Sequence, residues 1–288
     1  MRFPISMVFA LLVLTIPAAP AQTLMSKPMG SVHFDKDGNV VLATFTYRVP
    51  LQPPVLGFLP GHPYSAEEII QQTQILSDGT RIVRSRSSKM LYRDSAGRTR
   101  TEESFPSPPT MKDAKAPIVP EIFDPVAGCV YYLESANKIA HRVELPQPLK
   151  ALVPPQGLVL PSVAPVMISG APGRPPNSPT QTSSESLGMQ IVNGIQARGM
   201  RTTTTYAIGT VGNESPITVT TEIWTSPELN AVISSKTSDP RQGDRVQTLA
   251  DISLAEPDAA LFQVPEGYQV KNEAGPFTIT IKGSSNTK

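Results

Sequence analysis

Residues 188–205 read GMQIVNGIQARGMRTTTT, and this stretch decides the fold class. Gly188–Ile191 and Ile195–Thr205 have the composition of β-strands, and Val192-Asn193-Gly194 lies between them. Asn-Gly is the strongest short-range signal for a tight hairpin, because both central residues of that turn need a positive φ. The second half of the chain therefore contains an antiparallel hairpin.

The same strand pattern recurs along the whole chain. Residues alternate over 41–49, with Val41, Ala43, Phe45, Tyr47 and Val49 on one face, which predicts a half-buried strand. Further strands are predicted at Ile217–Trp224, Ala231–Thr237, Arg245–Leu254, Gln263–Val264 with Tyr268–Val270, and Phe277–Ile281. About a dozen strands joined by short turns predict a mostly β protein, an antiparallel sheet curved into an open or half barrel with little helix.

Two segments of the first half need closer attention. Ser65-Ala66-Glu67-Glu68 fits a helix capping box, so residues 66–76 have a helical alternative. We favour a strand, because the segment runs directly into the turn at 77–80. Gly128–Glu134 and Ile139–Leu145 predict a hairpin, and we expect a buried, unreactive thiol at Cys129.

The N-terminal sequence indicates export, and the charge balance limits the kinds of partner. Arg2, the apolar run over 7–14 and Ala19-Pro20-Ala21 have the order of a secretory signal peptide spanning 1–21. The apolar run is too short for a membrane span, so no integral membrane protein is expected. Without Arg2 the chain has 24 basic and 24 acidic residues, which argues against nucleic acid as a partner. We expect a periplasmic or extracellular location.

Proline content divides the mature chain. The sequence has 31 prolines, and ten of them lie between 146 and 179. Proline at that density removes backbone donors and favours extended, unpaired chain. We therefore predict an N-terminal β half at 22–145, a proline-rich linker or long loop at 146–184 and a C-terminal β half at 185–288. The two halves are expected to share one sheet.

Several motifs carry a resemblance to known proteins. They are QILSDGT (74–80), YRDSAGRTR (92–100), DPVAG (124–128), GTVGN (209–213), EIWTSPEL (222–229), SDPR (238–241) and EPDAALFQVP (256–265). Through them the chain resembles a family of uncharacterised exported bacterial proteins over most of its mature length. More distantly, the Trp224 strand, the strands after it and the segment Asp258–Phe262 resemble the lipoprotein-carrier fold of the bacterial envelope. That resemblance implies a half barrel around an apolar cavity partly closed by helices.

No catalytic, metal or cofactor site is predicted. Ser135 and Lys138 match Ser-x-x-Lys, but that chemistry needs a helix start, and these residues fall in a turn between strands. The spacing of His33, His62 and His141 fits no zinc site. Seven basic residues between 81 and 100 divide between the two strand faces, which favours solvated ion pairs over a patch for phosphate or anionic glycan.

These observations favour a non-enzymatic carrier or binding module for an apolar or amphiphilic ligand such as a lipid. The predicted cavity lining is Phe45, Tyr47, Tyr132, Ile223 and Trp224. The alternative is a structural or sensory envelope protein that docks a partner protein through a sheet edge or the proline-rich segment; an exported hydrolase ranks third. An unfilled apolar cavity would favour the carrier, and a packed core with an exposed edge strand would favour the docking protein.

Overall fold

A computed structural model of the chain describes residues 29–35, 40–47, 60–76, 78–103, 117–145 and 180–282. The strands are β1 (Met29–Phe34), β2 (Val40–Tyr47), β3 (Tyr64–Ile75), β4 (Arg81–Arg93), β5 (Thr99–Glu103), β6 (Glu121–Asp124), β7 (Cys129–Glu134), β8 (Ile139–Glu144), β9 (Thr180–Val192), β10 (Ile195–Tyr206), β11 (Ile217–Ser226), β12 (Ala231–Asp239), β13 (Gly243–Ser253), β14 (Gln269–Glu273) and β15 (Phe277–Lys282). One 3-10 helix spans Ala259–Phe262. The leader predicted at 1–21 and the prolines between 146 and 179 lie outside the described residues and stay predictions.

Twelve strands form one curved sheet that is not closed into a barrel. Their order is β14-β8-β7-β6-β5-β4-β3-β13-β12-β11-β10-β9, and within the described residues the pairing is antiparallel except between β14 and β8. The other three strands form a small antiparallel sheet in the order β1-β2-β15. The predicted class, mostly β with an open curved sheet and little helix, is confirmed.

Local predictions for one turn, one strand and one cysteine are also confirmed. Asn193 and Gly194 have φ of 50° and 82°, and they connect β9 to β10 in the hairpin that the sequence indicated. Residues 66–76 do not form a helix, because Tyr64–Ile75 is strand β3. Cys129 is buried on β7 as a free thiol.

Two segments differ from the sequence-based expectation. Residues 180–184, assigned to the linker, instead begin β9 and pair with β10, where hydroxyl pairs such as Ser184–Thr202 (3.2 Å) lie side by side. Gln263 and Val264, assigned to a strand, follow the 3-10 helix instead. The Asp258 side chain accepts a hydrogen bond from the Ala260 N–H at 2.9 Å, which stabilises the start of that helix.

Strands β3 and β13 join the two halves of the large sheet. Their antiparallel register runs from Thr73 opposite Asp244 to Ser65 opposite Ser253. Gly243 begins β13 with φ of 85°, and a β-carbon there would collide with the backbone of Thr73. Only glycine fits this close approach of the two strands.

Three apolar clusters stabilise the sheets. The first lies between the small sheet and β6–β8 and includes Phe45, Phe123 and Ile279. The second contains Leu229, Ile233 and Leu249 from the C-terminal strands with Ala66 of β3. The third packs Phe262 of the 3-10 helix against Ile122, Leu133 and Ala140. The small sheet and the segment around Phe262 thus cover the large sheet at β6–β8.

Arg93 fixes the far end of β4 to two distant segments. Its side chain is only 4% exposed, and its Nε donates to the His62 carbonyl oxygen at 2.8 Å. An Nη2 hydrogen bond reaches the carbonyl oxygen of Leu229, and the guanidinium lies 4.7 Å from the centre of the Tyr64 ring. Burial lowers the pKa of Arg93, but the carbonyl oxygens of His62 and Leu229 accept hydrogen bonds from the guanidinium and stabilise its positive charge inside the protein.

We predict that Arg93→Met lowers the free energy of unfolding by about 2–4 kcal/mol, because two buried carbonyl groups lose their donor. Urea denaturation followed by circular dichroism measures this loss. The matched control is Arg86→Met on the same strand, whose side chain is exposed and whose replacement should cost less than about 0.5 kcal/mol. Equal effects of the two substitutions would contradict the role given to Arg93.

Candidate functional site

Aromatic side chains pack closely where the small sheet covers the large one. The Tyr47 ring centroid lies 4.4 Å from that of Tyr132 and 5.0 Å from that of Phe277. The imidazole ring of His141 also stacks on Phe277, with ring centroids 4.8 Å apart and an interplanar angle of 10°. Phe45 is fully buried in the same cluster. These rings pack against one another between the two sheets.

The five predicted lining residues do not meet in one place. Phe45, Tyr47 and Tyr132 share the cluster beneath the small sheet. Trp224 packs against the C-terminal cluster, and a β-carbon on Gly199 would lie 2.6 Å from its ring. Ile223, the neighbouring residue on β11, is 36% exposed. A ligand role for these residues stays a prediction, and the structure assembles only three of them.

A row of polar side chains crosses the large sheet beside the aromatic cluster. The strand register places these residues on one face: Glu68, Lys89, Glu103, Glu121, Tyr132 and His141. The Lys89 Nζ lies 2.7 Å from the Glu68 carboxylate, which also accepts a hydrogen bond from Gln247 at 2.7 Å. This contact confirms the expected cross-strand ion pairing for Lys89. We call this set the polar row.

Glu121 contributes a carboxyl with a raised pKa to the polar row. Burial raises the pKa of its carboxyl to about 7; Lys89 opposes this shift and Glu103 adds to it. Burial and the negative charge of Glu121 also raise the pKa values of the Tyr47 and Tyr132 phenols. Both phenols therefore stay neutral and act as hydrogen-bonding groups rather than as bases.

His141 connects three strands at the end of the polar row. Its Nδ1 lies 2.8 Å from the carboxylate of Glu273 on β14, and its Nε2 lies 3.2 Å from that of Glu134 on β7. An imidazolium, with two N–H donors, satisfies both carboxylates at once. Burial opposes ionisation of Glu273, but hydrogen bonds from His141 and Lys271 lower its pKa.

Sequence reasoning did not identify the carboxylates of this region. Alternation over 128–134 does place Tyr132 and Glu134 on one face, which was the only local signal for Glu134. Glu273 lies 132 residues beyond His141, and no local pattern connects the two. The contact between His141 and Glu273 depends on the parallel pairing of β14 with β8.

The Ser-x-x-Lys motif of the sequence lies in a turn between two strands. Residues 135–138 form the turn between β7 and β8, and Lys138 has φ of 51°. Ser135 therefore does not begin a helix. In the part of the chain that the structure describes, no group of three or more histidine, cysteine, aspartate or glutamate side chains is arranged to hold a metal ion.

Strand β9 provides a different kind of site, at one edge of the large sheet. Its thirteen residues are exposed except for Thr180, which is buried, and Leu187 and Val192, which are half-buried. It ends the strand order, so no described strand pairs with its outer side. Its single charged side chain, Glu185, lies 2.7 Å from Arg201 on β10.

No protein-family model and no curated protein matches this chain. Among solved structures it is similar to MucB of Pseudomonas aeruginosa in the MucA/MucB complex, with 10% identity, a TM-score of 0.36, and coverage of 74% of this chain and 59% of that one. The chain thus spans less than two thirds of the MucB chain.

Two further solved structures are similar to most of the chain. One is the LolA superfamily protein NE2245 from Nitrosomonas europaea, with 9% identity, a TM-score of 0.26, and coverage of 72% of this chain and 92% of that one. The other is the Mycobacterium tuberculosis lipoprotein LppX, with 12% identity, a TM-score of 0.26, and coverage of 67% and 88%. Lipoprotein-carrier-like proteins are therefore among the structural neighbours, as the distant sequence resemblance implied.

None of the described helical segments is long and apolar enough to cross a membrane.

The raised pKa of Glu121 predicts a pH-dependent stability. Its folded pKa of about 7 exceeds the ordinary value of 4.5, so the protein loses stability as the pH rises from about 4.5 to 7. Glu121→Gln removes this loss and should raise the free energy of unfolding by about 3 kcal/mol at pH 8, with little change at pH 4. Urea denaturation at both pH values measures the difference, and the exposed Glu214→Gln serves as the control. A gain that is the same at pH 4 and pH 8 would contradict the assignment.

Proposed function

We propose that this chain is an exported, non-enzymatic binding module that holds an extended segment of a partner protein along β9. The observation that carries the proposal is the length and exposure of this edge strand. An edge strand presents a row of backbone N–H and C=O groups, and a second strand satisfies them by adding to the sheet. The partner segment would then continue the large sheet beyond β9.

The composition of β9 supports this role. Natural edge strands are usually protected by lysine, proline or strong bulges, and residues 180–192 contain neither lysine nor proline. One bulge interrupts the pairing with β10 near Leu187 and leaves Thr180–Ser186 as an unbroken segment. Seven residues exceed the usual strand length of about five or six, so this segment is long enough to pair with a peptide.

The side chains of β9 indicate how a partner would be recognised. Its Thr, Ser and Gln side chains are neutral, and its one carboxylate is already paired with Arg201. Recognition would therefore rest on backbone hydrogen bonds and on hydroxyl contacts, such as that between Thr182 and Thr204 at 3.4 Å, rather than on charge. The packed rings of Phe45, Tyr47 and Tyr132 support docking over carriage, since a carrier needs unfilled apolar space.

Two neighbouring proline substitutions test the proposal. Adjacent residues of a strand direct their N–H groups to opposite sides, so one of Ser183→Pro and Ser184→Pro removes a donor to β10 and the other removes a donor on the free edge. We expect the proline that removes a donor to β10 to destabilise the fold by about 1–3 kcal/mol. The proline that removes a donor on the free edge should leave the fold stable but weaken peptide binding about tenfold or more.

The probes are peptides selected from a displayed library against the wild-type chain, and their affinities are measured by fluorescence anisotropy. Thermal denaturation shows which proline variant keeps the stability of the wild type. Loss of binding in that stable variant supports addition at β9. Unchanged affinity in the stable variant, or failure of the library to yield any binding peptide, would count against the proposed function.

A further inference from the structure

Three chain reversals meet at one end of the large sheet. They are the β3–β4 turn, the β12–β13 turn and the β10–β11 connection. Gln72 of β3 donates to the carbonyl oxygen of Gln242 at 3.4 Å, and the Arg241 guanidinium lies 4.9 Å from the centre of the Tyr206 ring. We call this end the rim. With strands about 4.8 Å apart, the rim is about 24 Å wide from β4 to β10.

The rim exposes apolar side chains on separate turns. Ile75 is 65% exposed, Val83 is 52% exposed and Ile208 is 65% exposed. Leu76 and Val211 are exposed at the same end. Single exposed apolar residues are ordinary, but several that follow one rim form a surface suited to an apolar boundary.

Arginine side chains accompany these apolar residues. The β3–β4 hairpin carries Arg81, Arg84 and Arg86 near its turn, against Asp78 as the acidic residue of that turn. Arg84 donates from Nε to the side-chain oxygen of Gln74 at 2.9 Å, which leaves its positive charge in place because the amide is neutral. The β3–β4 end of the rim therefore carries an excess of positive charge.

A shallow polar cavity of about 330 Å³, largely open to solvent, lies at the same place and is lined by Gln72, Gln74, Arg84, Arg241 and Gln242. Guanidinium groups form strong, charge-assisted hydrogen bonds with phosphate oxygens, and the glutamine amides add neutral donors. The Arg241 charge is partly offset by Asp239, whose carboxylate lies 2.7 Å away, so Arg84 supplies most of the attraction. The cavity has the donors and the size for a phosphate headgroup.

We infer that the rim docks on the surface of an anionic phospholipid membrane. Arg84 and the glutamine amides bind lipid phosphate, while Ile75, Val83 and Ile208 enter the boundary between headgroups and acyl chains. Binding of a free phosphate ion or of nucleic acid would give no role to the exposed apolar residues of the rim. The inference goes beyond strand addition, which concerns the outer side of β9.

Vesicle flotation of the purified exported chain tests this inference. We expect binding to vesicles that contain phosphatidylglycerol, weakening with added salt, and much weaker binding to pure phosphatidylcholine. The double variant Ile75→Ser/Val83→Ser should lower partitioning of the protein onto vesicles about tenfold, because the free energy gained by burying two apolar side chains in the membrane is lost. Arg81→Gln/Arg84→Gln should lower it more than tenfold, at about fivefold per arginine.

The matched control is Ile191→Ser/Arg198→Gln, which changes an exposed apolar residue (Ile191, 78% exposed) and an exposed arginine at the opposite end of the sheet. It should bind vesicles like the wild type, and circular dichroism checks that all variants stay folded. Equal losses in control and rim variants, or no binding to anionic vesicles, would overturn the inference. Calorimetric binding of inorganic phosphate that depends on Arg84, without vesicle binding, would also overturn it and leave a site for small anions.

Discussion

Glu68 and Gln247 are 179 residues apart in sequence, yet their side chains hydrogen-bond across the seam where β3 pairs with β13. This backbone pairing makes one sheet of two meanders, each of which is built from consecutive hairpins. It also places the turns of β3–β4 and β12–β13 side by side. The rim, which contains turns of both meanders, depends on this pairing.

The features of the large sheet that could serve a function are distinguished by their position in the sheet and not by sequence motifs. Its face at β6–β8 is occupied by the small sheet, whose Tyr47 and Phe277 fill the space against Tyr132. Its polar row contains a carboxyl that changes charge near neutral pH, at Glu121. Its free surfaces are the edge strand and the turns, which are the parts of a sheet where backbone groups and side chains remain available to a partner.

Edge docking and membrane docking place different physical demands on the chain. Strand addition needs unpaired backbone groups and little else, and the neutral residues of β9 meet that need. Membrane docking needs apolar and cationic side chains together, and the turns at the rim supply both. A protein held at a membrane surface by its rim would present β9 along the side of the sheet. Neither role requires an internal cavity.

The sequence by itself determined most of the predicted strands, the hairpin at Asn193-Gly194 and the fold class. Period-two alternation and the Asn193-Gly194 turn act over a few residues, so they can be interpreted locally, and burial of Cys129 follows from its place on a central strand. Tertiary structure alone decided which strands became edges and which aromatic residues met. The partners of His141 and the separation of Trp224 from Tyr132 depend on strand order and register, which are set by contacts between distant residues that no local pattern specifies.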